Sequence, residues 1–434
     1  MLTKEENELL CRIGPQTPMG DLFRRYWHPI CLSEQLPKPD CDPLHIRHLG
    51  EDYVAFRATS GRIGLLDELC MHRGASLTLG RVEECGIRCI FHGWKFSVDG
   101  ELMEVPNHPD PAYMKRQKAK AYPVREAGGM VWAYTGPADK EPPFPDFPFF
   151  AYPPERCYPV RVNVNTNYLQ NLEGGLDSSH SSSLHSDYFR PQWREGVKNS
   201  AMDDMAPRLE VENTRFGYHY AAFRSFHTPE GKDTTNIRIM PFILPSTRII
   251  PGRRNRSIGG SSNSYTDMFV FEVPIDDENT AAYVVIFSSE PVDRQSALFR
   301  LGLDDPKFWS PTDYNYKPDS KNRWGQDRSI LDSSWTGFKG GIYIEDAAVI
   351  GSMGPIFDRT REHLVPADLA IVRARRILLD NVRKVQKGEA PIGLDIDYNK
   401  LSSFDGILPS VKHWRELVPG HFPAAEGAAA EATD

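Results

Sequence analysis

The stretch Cys70-Met71-His72 is followed, after sixteen intervening residues, by Cys89-Ile90-Phe91-His92. Each half offers one thiolate and one imidazole, so four possible metal ligands come from two short pieces of chain. Structural zinc sites usually pair like ligands, as C-x2-4-C and H-x3-5-H. Because both pairs are mixed here, zinc is the weaker interpretation.

A Rieske [2Fe-2S] centre fits better, since cysteines hold one of its irons and histidines hold the other. We expect the ligands to be Cys70, His72, Cys89 and His92. Imidazole ligands raise the reduction potential above that of an all-cysteine cluster and leave outer ring nitrogens for hydrogen bonds. The motif therefore predicts an electron relay. Cys85 has no histidine two residues on, so we expect a buried or loop thiol there.

A second constellation lies downstream, in Glu173-Gly-Gly-Leu-Asp177-Ser-Ser-His180-Ser-Ser-Ser-Leu-His185. Its histidines, His180 and His185, are five residues apart and can converge on one ion. Non-heme Fe(II) oxygenases bind iron through two His and one carboxylate, which leaves positions open for O2 and substrate. An isolated histidine pair is weak evidence for a metal. In the same chain as a Rieske motif, it predicts a mononuclear iron site.

The third iron ligand must come from elsewhere in the chain. We expect Asp358, in Gly354-Pro-Ile-Phe-Asp358, because it follows an apolar Gly/Pro turn and opens the long C-terminal helix. Glu362 is the local alternative.

Further stretches join these motifs: residues 19–27 (Met-Gly-Asp-Leu-Phe-Arg-Arg-Tyr-Trp), 172–180, 220–224 (Tyr-Ala-Ala-Phe-Arg) and 358–363 (Asp-Arg-Thr-Arg-Glu-His). Together with both cluster motifs they resemble the oxygenase (alpha) component of Rieske non-heme iron aromatic-ring hydroxylases, most of all the phthalate dioxygenase branch. The resemblance spans nearly the whole chain. Some relatives have an Asn six residues before the first iron-binding His. Gly174 occupies that position here, so the role of that Asn does not carry over.

The resemblance implies a catalytic role for Asp177, three residues before His180. In the family the corresponding Asp hydrogen-bonds an iron-binding His and, across a subunit boundary, a cluster-binding His, which here is His72 or His92. It acts there as an electron bridge, and such a carboxylate also fixes the tautomer of a ligating imidazole. A plain helix cap is the alternative role, and the two roles are compatible.

The resemblance also implies a head-to-tail homotrimer, or a hexamer of two stacked trimers, in which one subunit's cluster serves its neighbour's iron. A heterologous contact of this kind closes as a ring. Residues 73–76 and 93–96 contain no cysteine, so the disulfide that braces respiratory-chain Rieske clusters cannot form. We see no flavin or nicotinamide motif, and we expect a separate NAD(P)H-dependent reductase to supply electrons.

Composition bounds the class of protein. The chain has 434 residues, 40% of them hydrophobic, which is enough for two or three domains. A net charge of -8 does not indicate the basic surface that a nucleic-acid-binding protein needs. We find neither an apolar run long enough for a membrane span nor a secretion signal. Five cysteines outside the cluster show no framework spacing, so we expect reduced thiols in the cytoplasm: Cys11, Cys31, Cys41, Cys85 and Cys157.

Patterning along the chain predicts a series of segments. Residues 1–26 form an N-terminal helical anchor, and residues 27–137 form a small antiparallel β domain that carries the Rieske motif. A Pro-rich linker covers 138–150. The mononuclear-iron catalytic domain covers 151–423, and a low-complexity, disordered tail covers 424–434.

The predicted fold class is α+β. Beyond the linker, alternating apolar runs predict strands at 158–165, 209–211, 218–223, 237–243, 268–273 and 281–287. The last helix, 366–386, is predicted to place most of its apolar residues on one stripe: Leu369, Val372, Leu379, Val382 and Val385. A curved antiparallel sheet wrapping helices follows, and the resemblance implies a helix-grip fold with the iron beneath the sheet.

The implied activity is O2-dependent cis-dihydroxylation of an aromatic carboxylate such as phthalate. A dicarboxylate requires fixed cations near the iron, and Arg pairs a carboxylate bidentately. Arg208, Arg224 and Arg238 lie between apolar residues on predicted strands. Arg208 and Arg238 are the preferred pair, and Ser179 adds a possible hydroxyl contact. A surface or ion-pair role is the alternative for each arginine.

Two other classes of function remain open. Related chains carry out O-demethylation of aryl ethers or angular attack on diaryl ethers such as phenoxybenzoate. A pure electron-transfer ferredoxin needs only the Rieske domain, and the long remainder of the chain with His180 and His185 argues against it. Product analysis separates the oxygenase reactions, and iron content separates an oxygenase from a ferredoxin.

Overall fold

The structure, a computed structural model, describes residues 2–108, 110–196, 198, 200–228, 231–252 and 265–418. The predicted disordered tail, 424–434, lies outside the described residues. Within the described ranges, every helix is too short or too polar to cross a bilayer.

The N-terminal part of the chain folds into three small antiparallel sheets, with strand orders β1-β10-β9, β2-β3-β4 and β5-β6-β7-β8. Alternate residues of a strand face opposite ways, and β3 buries Val54 and Phe56 in one core and Tyr53 and Ala55 in another. The two cluster motifs lie in the β4–β5 and β6–β7 connections. The strand bounds are β1 (His28–Leu32), β2 (Leu44–His48), β3 (Glu51–Arg57), β4 (Ile63–Asp67), β5 (Arg81–Glu83), β6 (Gly86–Arg88), β7 (Lys95–Ser97), β8 (Leu102–Glu104), β9 (Val124–Ala127) and β10 (Met130–Ala133).

One eight-stranded antiparallel sheet forms the base of the C-terminal part, in the order β11-β17-β16-β15-β14-β13-β12, with β18 paired to β14. Six of its strands coincide with the predicted runs, of which 158–165 extends one residue beyond β11, whereas the sequence did not predict the short β15 and β18. The bounds are β11 (Cys157–Val164), β12 (Arg208–Asn213), β13 (Gly217–His227), β14 (Asp233–Ile243), β15 (Thr247–Ile250), β16 (Tyr265–Pro274), β17 (Thr280–Ser288) and β18 (Phe404–Ile407). An α+β fold with a helix-covered antiparallel sheet is therefore confirmed.

The helices are α1 (Lys4–Cys11), α2 (Pro18–Phe23), α3 (Pro111–Arg116), α4 (Tyr168–Leu176), α5 (His180–Ser183), α6 (Ser186–Phe189), α7 (Arg294–Leu301), α8 (Ile342–Ser352) and α9 (Leu369–Gln386). The predicted stripe of α9 is only partly correct, because Leu369 and Val372 are exposed. The buried face instead includes Ala370, Ala374 and Leu378, which recur every four residues along a helix of 3.6 residues per turn.

The residues before β1 pack against the large sheet's helices. A capping box starts α1, where Thr3 Oγ1 accepts from Glu6 N at 3.1 Å and Glu6 Oε2 accepts from Thr3 N at 3.1 Å. Leu10 and Phe23 share one buried cluster with residues of α4 and α9. The small β sheets are therefore inserted between two pieces of chain that form one core.

A buried ionic network fixes the same junction. Glu173 of α4 pairs with Arg359 Nη2 at 2.9 Å and with Arg375 Nε at 2.6 Å. Arg359 Nη1 also donates to Asn7 Oδ1 at 3.1 Å, and Arg375 pairs with Glu362 at 2.6 Å. These contacts join α1, α4 and α9 at the start of the segment that carries His180 and His185.

Candidate functional site

The two cluster loops adopt the same backbone turn. In each loop the cysteine N–H donates at 2.8 Å to the carbonyl five residues on, and the cysteine carbonyl accepts from a glycine N–H, Gly74 to Cys70 at 2.8 Å and Gly93 to Cys89 at 2.9 Å. Both glycines have positive φ, +71° and +77°, a conformation that costs glycine little. The turn explains why a glycine closes both Cys-Met-His-Arg-Gly and Cys-Ile-Phe-His-Gly.

The four side chains expected to hold the cluster converge between these turns. Cys70 and Cys89 are buried, and the ring centroids of His72 and His92 are 4.5 Å apart. Burial raises the pKa of the Cys70 thiol to about 11, and the adjacent Cys89 contributes to this shift. Two neighbouring buried thiols suit a cationic partner, because a coordinated thiol is deprotonated by the metal charge. The donor set fits a [2Fe-2S] cluster.

Trp94 fixes the orientation of His72, one of the side chains expected to hold the cluster. Its indole stacks on His72 with ring centroids 4.6 Å apart and an interplanar angle of 4°. The indole N–H donates to Asn107 Oδ1 at 2.8 Å, so the ring cannot turn freely. Cys85 lies in the exposed turn between β5 and β6, which agrees with the loop alternative for that thiol.

The second constellation begins where α4 ends, at Asp177. Asp177 Oδ1 accepts from Ser179 N at 2.7 Å and Ser179 Oγ at 2.8 Å, while Oδ2 accepts from His180 N at 3.2 Å. The chain continues as α5, which starts at His180, and α6, which follows His185. This broken helix brings the two imidazole rings to a centroid distance of 5.1 Å.

A carboxylate of α8 completes a group of three possible metal ligands. Asp346 Oδ1 lies 3.2 Å from His185 Nε2 and 3.7 Å from His180 Nε2. The three ligand atoms all lie within 4.8 Å of one another, and in the described ranges this is the one group of its kind among His, Cys, Asp and Glu. Two imidazoles and one carboxylate form the donor set of a mononuclear non-heme iron.

The structure does not bring Asp358 to the two histidines, so that part of the sequence prediction is corrected. Asp358 is exposed and caps the 3-10 turn Arg359–Arg361, accepting from Thr360 N at 3.0 Å. The alternative, Glu362, is engaged by Arg375. The overlooked signal was the pair Glu345-Asp346 inside Ile342–Ser352, a helix that is otherwise almost entirely apolar.

Both histidines have a second carboxylate beside the other ring nitrogen. Glu345 Oε2 lies 2.7 Å from His185 Nδ1, and Asp177 Oδ2 lies 3.5 Å from His180 Nδ1. Burial lowers the pKa of His185, but Asp346 and Glu345 outweigh burial and raise this pKa to about 9. Three carboxylates around two imidazoles leave an excess of negative charge, which a divalent cation would balance. The site therefore fits Fe(II) in charge as well as in donor type.

The sheet separates Arg208 and Arg238, the two arginines that the sequence favoured as a substrate-binding pair. Arg208 of β12 is paired with Phe223 of β13, and Phe223 is paired with Ile237 of β14. Arg238, the next residue of β14, is paired instead with Ala222. Because successive side chains of a strand alternate, Arg208 and Arg238 lie on opposite faces of the sheet. Arg208 is exposed beside Glu210. The prediction that these two arginines form a pair is therefore corrected.

The face that carries Arg238 holds two further arginines, Arg224 and Arg248, placed there by the pairs Arg224–Asn236 and Phe242–Arg248. Arg238 pairs with Asp405 at 3.0 Å, and Arg248 pairs with Glu272 at 2.6 Å. Arg224 is completely buried and donates to Ser178 Oγ at 3.1 Å and to the Ser178 carbonyl. Ser179 uses its hydroxyl on Asp177.

Two family models and several known proteins match this chain. The family model "Rieske [2Fe-2S] domain" matches residues 26–123, and "LigXa C-terminal domain like" matches residues 133–432. The phthalate 4,5-dioxygenase oxygenase subunit of Pseudomonas putida is 37% identical over 96% of this chain and 94% of its own length. The 3-chlorobenzoate-3,4-dioxygenase oxygenase subunit of Comamonas testosteroni is 34% identical over 91% of this chain and 92% of its own.

A solved structure confirms the fold independently of close sequence similarity. Pseudomonas putida CBB5 NdmA, as a QL mutant with caffeine, superimposes with a TM-score of 0.59 at 18% identity, covering 91% of this chain and all of that one. At this identity the likeness concerns the fold alone. The motifs, the family models and the two relatives show that the chain belongs to the Rieske non-heme iron aromatic-ring-hydroxylating oxygenases, as an oxygenase (alpha) component of the phthalate dioxygenase branch.

Proposed function

We propose that this oxygenase component catalyses the O2-dependent cis-dihydroxylation of a phthalate-like aromatic carboxylate, with electrons from NAD(P)H delivered by a separate reductase. The observation that carries the proposal is the presence of two complete donor sets in one chain, one for a cluster and one for a mononuclear iron. The names of the two relatives support the substrate class, because both act on an aromatic carboxylate.

The cofactors of this family member are a Rieske [2Fe-2S] cluster and a mononuclear Fe(II). When bound, they supply electron transfer and O2 activation, respectively. We assign the cluster to Cys70, His72, Cys89 and His92. The mononuclear iron is assigned to three side chains: His180, His185 and Asp346.

The protein's own contribution is orientation and charge. Stacking on Trp94 holds the ring of His72, and the turn that begins at Asp177 fixes the backbone of His180. The side chain of Asp177 is 19% exposed, so one oxygen can accept a hydrogen bond from outside the subunit. We propose that it accepts this bond from the neighbour's His72 or His92 and links the two centres.

The assembly that this bridge requires is a head-to-tail trimer, or two stacked trimers. An apolar rim surrounds the cluster loops, formed by the exposed side chains of Leu69, Met71, Ile90 and Phe91. Exposed apolar patches of this kind mark interaction surfaces. A neighbouring subunit that covers this rim would also exclude water from the electron path.

Mixed assemblies test the crossing between subunits. A His72→Cys variant and a His180→Ala variant are each expected to be inactive, whereas rings that contain both recover activity because one subunit's intact cluster serves the other's intact iron. As a control, each variant is taken through the same subunit exchange alone and should remain inactive. An active monomer, or mixed rings as inactive as their parents, would contradict the proposed assembly.

Products identify the reaction. The holoenzyme with a compatible reductase is supplied with a panel of aromatic mono- and dicarboxylates, and O2 and NADH consumption are measured together. We expect a dicarboxylate to give a dihydrodiol that carries both atoms of labelled O2. Formaldehyde or a released phenol would replace this proposal with O-demethylation or angular attack on an ether. An iron content near two per chain would instead indicate an electron-transfer protein.

A further inference from the structure

We propose that Glu345 is a positioning residue for the mononuclear iron, and that it holds the ring of His185 with Nε2 directed at the metal. The inference rests on the proposed iron site and adds to it a residue that is not a ligand. Glu345 is 1% exposed, and its Oε2 lies 2.7 Å from His185 Nδ1. Its other oxygen, Oε1, accepts from Thr336 Oγ1 at 2.6 Å. With both oxygens engaged, the carboxylate has one orientation.

Adjacent residues of α8 therefore contact the two nitrogens of one imidazole. Glu345 is at Nδ1, and Asp346 is 3.2 Å from Nε2. When Nδ1 carries the proton and donates a hydrogen bond to Glu345, Nε2 of the neutral ring has a free lone pair for a metal. A carboxylate on the outer nitrogen also raises the basicity of a ligating imidazole. Glu345 thus sets the tautomer, the direction and the donor strength of His185.

The second histidine is held differently. His180 Nδ1 is buried and has no hydrogen-bond partner within the described part of the chain, although Asp177 Oδ2 is 3.5 Å away. His185 is almost completely buried, whereas 24% of the His180 side chain is exposed. His185 is accordingly the firmly oriented ligand and His180 the adjustable one. Iron retention should depend more on Glu345 than on Asp177.

Iron release measures this difference without any turnover. Glu345→Ala, Glu345→Gln and Asp177→Asn are loaded with Fe(II), and loss of iron to a chelator is followed alongside the Rieske absorption. We expect Glu345→Ala to lose the mononuclear iron about 10–100-fold faster than the parent, the usual effect of removing such a partner. Glu345→Gln should be intermediate, because its amide oxygen still accepts from Nδ1–H. Asp177→Asn should stay near the parent rate.

A spectroscopic signature separates orientation from general stability. The nitric oxide adduct of the ferrous site reports ligand geometry by electron paramagnetic resonance, and its signal should change in Glu345→Ala and return towards the parent in Glu345→Gln. If Glu345→Ala does not fold, Thr336→Val removes the second anchor, together with the hydrogen bond from Phe338 N to Thr336 Oγ1, and should speed iron loss to a smaller degree. The proposal is overturned if Glu345→Ala releases iron no faster than Asp177→Asn. If Glu345→Ala does not fold, the same comparison is made with Thr336→Val. If His180→Ala retains all the parent's iron, the iron site itself is wrong, which is a separate failure.

Discussion

Asp346 places a negative charge between two imidazoles, and its Oδ1 is 3.2 Å from His185 Nε2. Asp346→Asn keeps the shape of the side chain but removes the charge. We expect the iron content to fall by about one per chain, because a site with three protein ligands is weakened by the loss of one. Iron analysis measures the change, and the Rieske absorption should persist.

Asp358→Asn is the matched control for Asp346→Asn. Asp358 is an exposed cap and lies outside the ligand group, so its amide variant should retain the full iron content. The assignment would be reversed if Asp358→Asn lost iron while Asp346→Asn kept it.

Arg238 lies on the helix-facing side of the sheet, with Arg224. If Arg238 pairs a substrate carboxylate, Arg238→Met should weaken binding of a dicarboxylate by about 1.5–3 kcal/mol, the scale of a hydrogen bond to a charged group. Binding of a neutral analogue should change little. Arg208→Met is the control, because Arg208 lies on the opposite face beside Glu210. Titration calorimetry with both ligands measures the difference, and equal losses for the two ligands would indicate a packing role for Arg238.

The residues that could be predicted from sequence are those whose partners lie close by in the chain. The side chains expected to hold the cluster lie in two similar turns, and a five-residue spacing relates His180 to His185. Asp346 lies on another helix, more than 150 residues from these histidines, and only tertiary packing brings it there. The predicted arginine pair is wrong for a local reason, because Arg208 and Arg238 have opposite parity across β12, β13 and β14 and so face opposite sides of the sheet.

Helix α4 passes close above Arg248 at Gly175. A Cβ there would lie 2.0 Å from Arg248 Nε, and Arg248 is held at 2.6 Å by the buried Glu272. Alanine normally favours a helix by about 1 kcal/mol over glycine. In this position we expect a net loss of about 1–3 kcal/mol of stability, because the ion pair must shift to relieve the overlap.

Denaturant unfolding of Gly175→Ala measures that loss, with Gly174→Ala as its neighbour control. A Cβ at Gly174 meets only the end of the Ile350 side chain, at 2.8 Å, and this methyl group can move aside. Equal stability of the two variants would contradict the proposed constraint on α4.

Elements with a strong period were the most predictable. The predicted runs in β13, β14, β16 and β17 lie in strands, because long alternating or apolar stretches have few alternatives. The four-residue strands β15 and β18 carry too little pattern to be recognised, and the structure defines them by their pairing, β15 with β14 and β16 and β18 with β14. The stripe of α9 was misplaced at its first turn, where two apolar residues remain exposed.

The junction between the two parts of the molecule contains a buried histidine pair. His28 and His48 have ring centroids 5.3 Å apart, and the β2–β3 turn donates to the large sheet through Leu49 N to Pro274 O at 3.1 Å. Burial lowers the pKa of His28 to about 4 and that of His48 well below its ordinary value. Both histidines are therefore neutral in the folded protein near neutral pH.

Stability should consequently fall in acid. The pKa of His28 is near 6.5 in the unfolded chain and about 4 in the folded protein, so between these values the unfolded chain binds more protons. The stability that comes from keeping the histidine neutral is therefore complete above about pH 6.5 and is lost as pH falls towards 4. His48→Leu should flatten this pH dependence of the melting temperature. Ile46→Val, on the same strand and without a titrating side chain, is the control and should keep the parent profile. The explanation fails if the two variants show the same profile.

The position of α1 and α2 at the start of the chain determines when the large core can form during synthesis. Leu10 and Phe23 belong to a core that includes Leu378 of α9, so the first helices leave the ribosome long before their partners exist. At a translation speed of roughly 5–20 residues per second, α1 waits roughly 20 to 75 seconds for the end of α9. All strands of the small β sheets, including the distant pair β1 and β10, are made before α4, so these sheets can fold during that interval. The large core can close only after α9 has been made, and until then the apolar side of α1 and α2 is available to chaperones and to other unfinished chains.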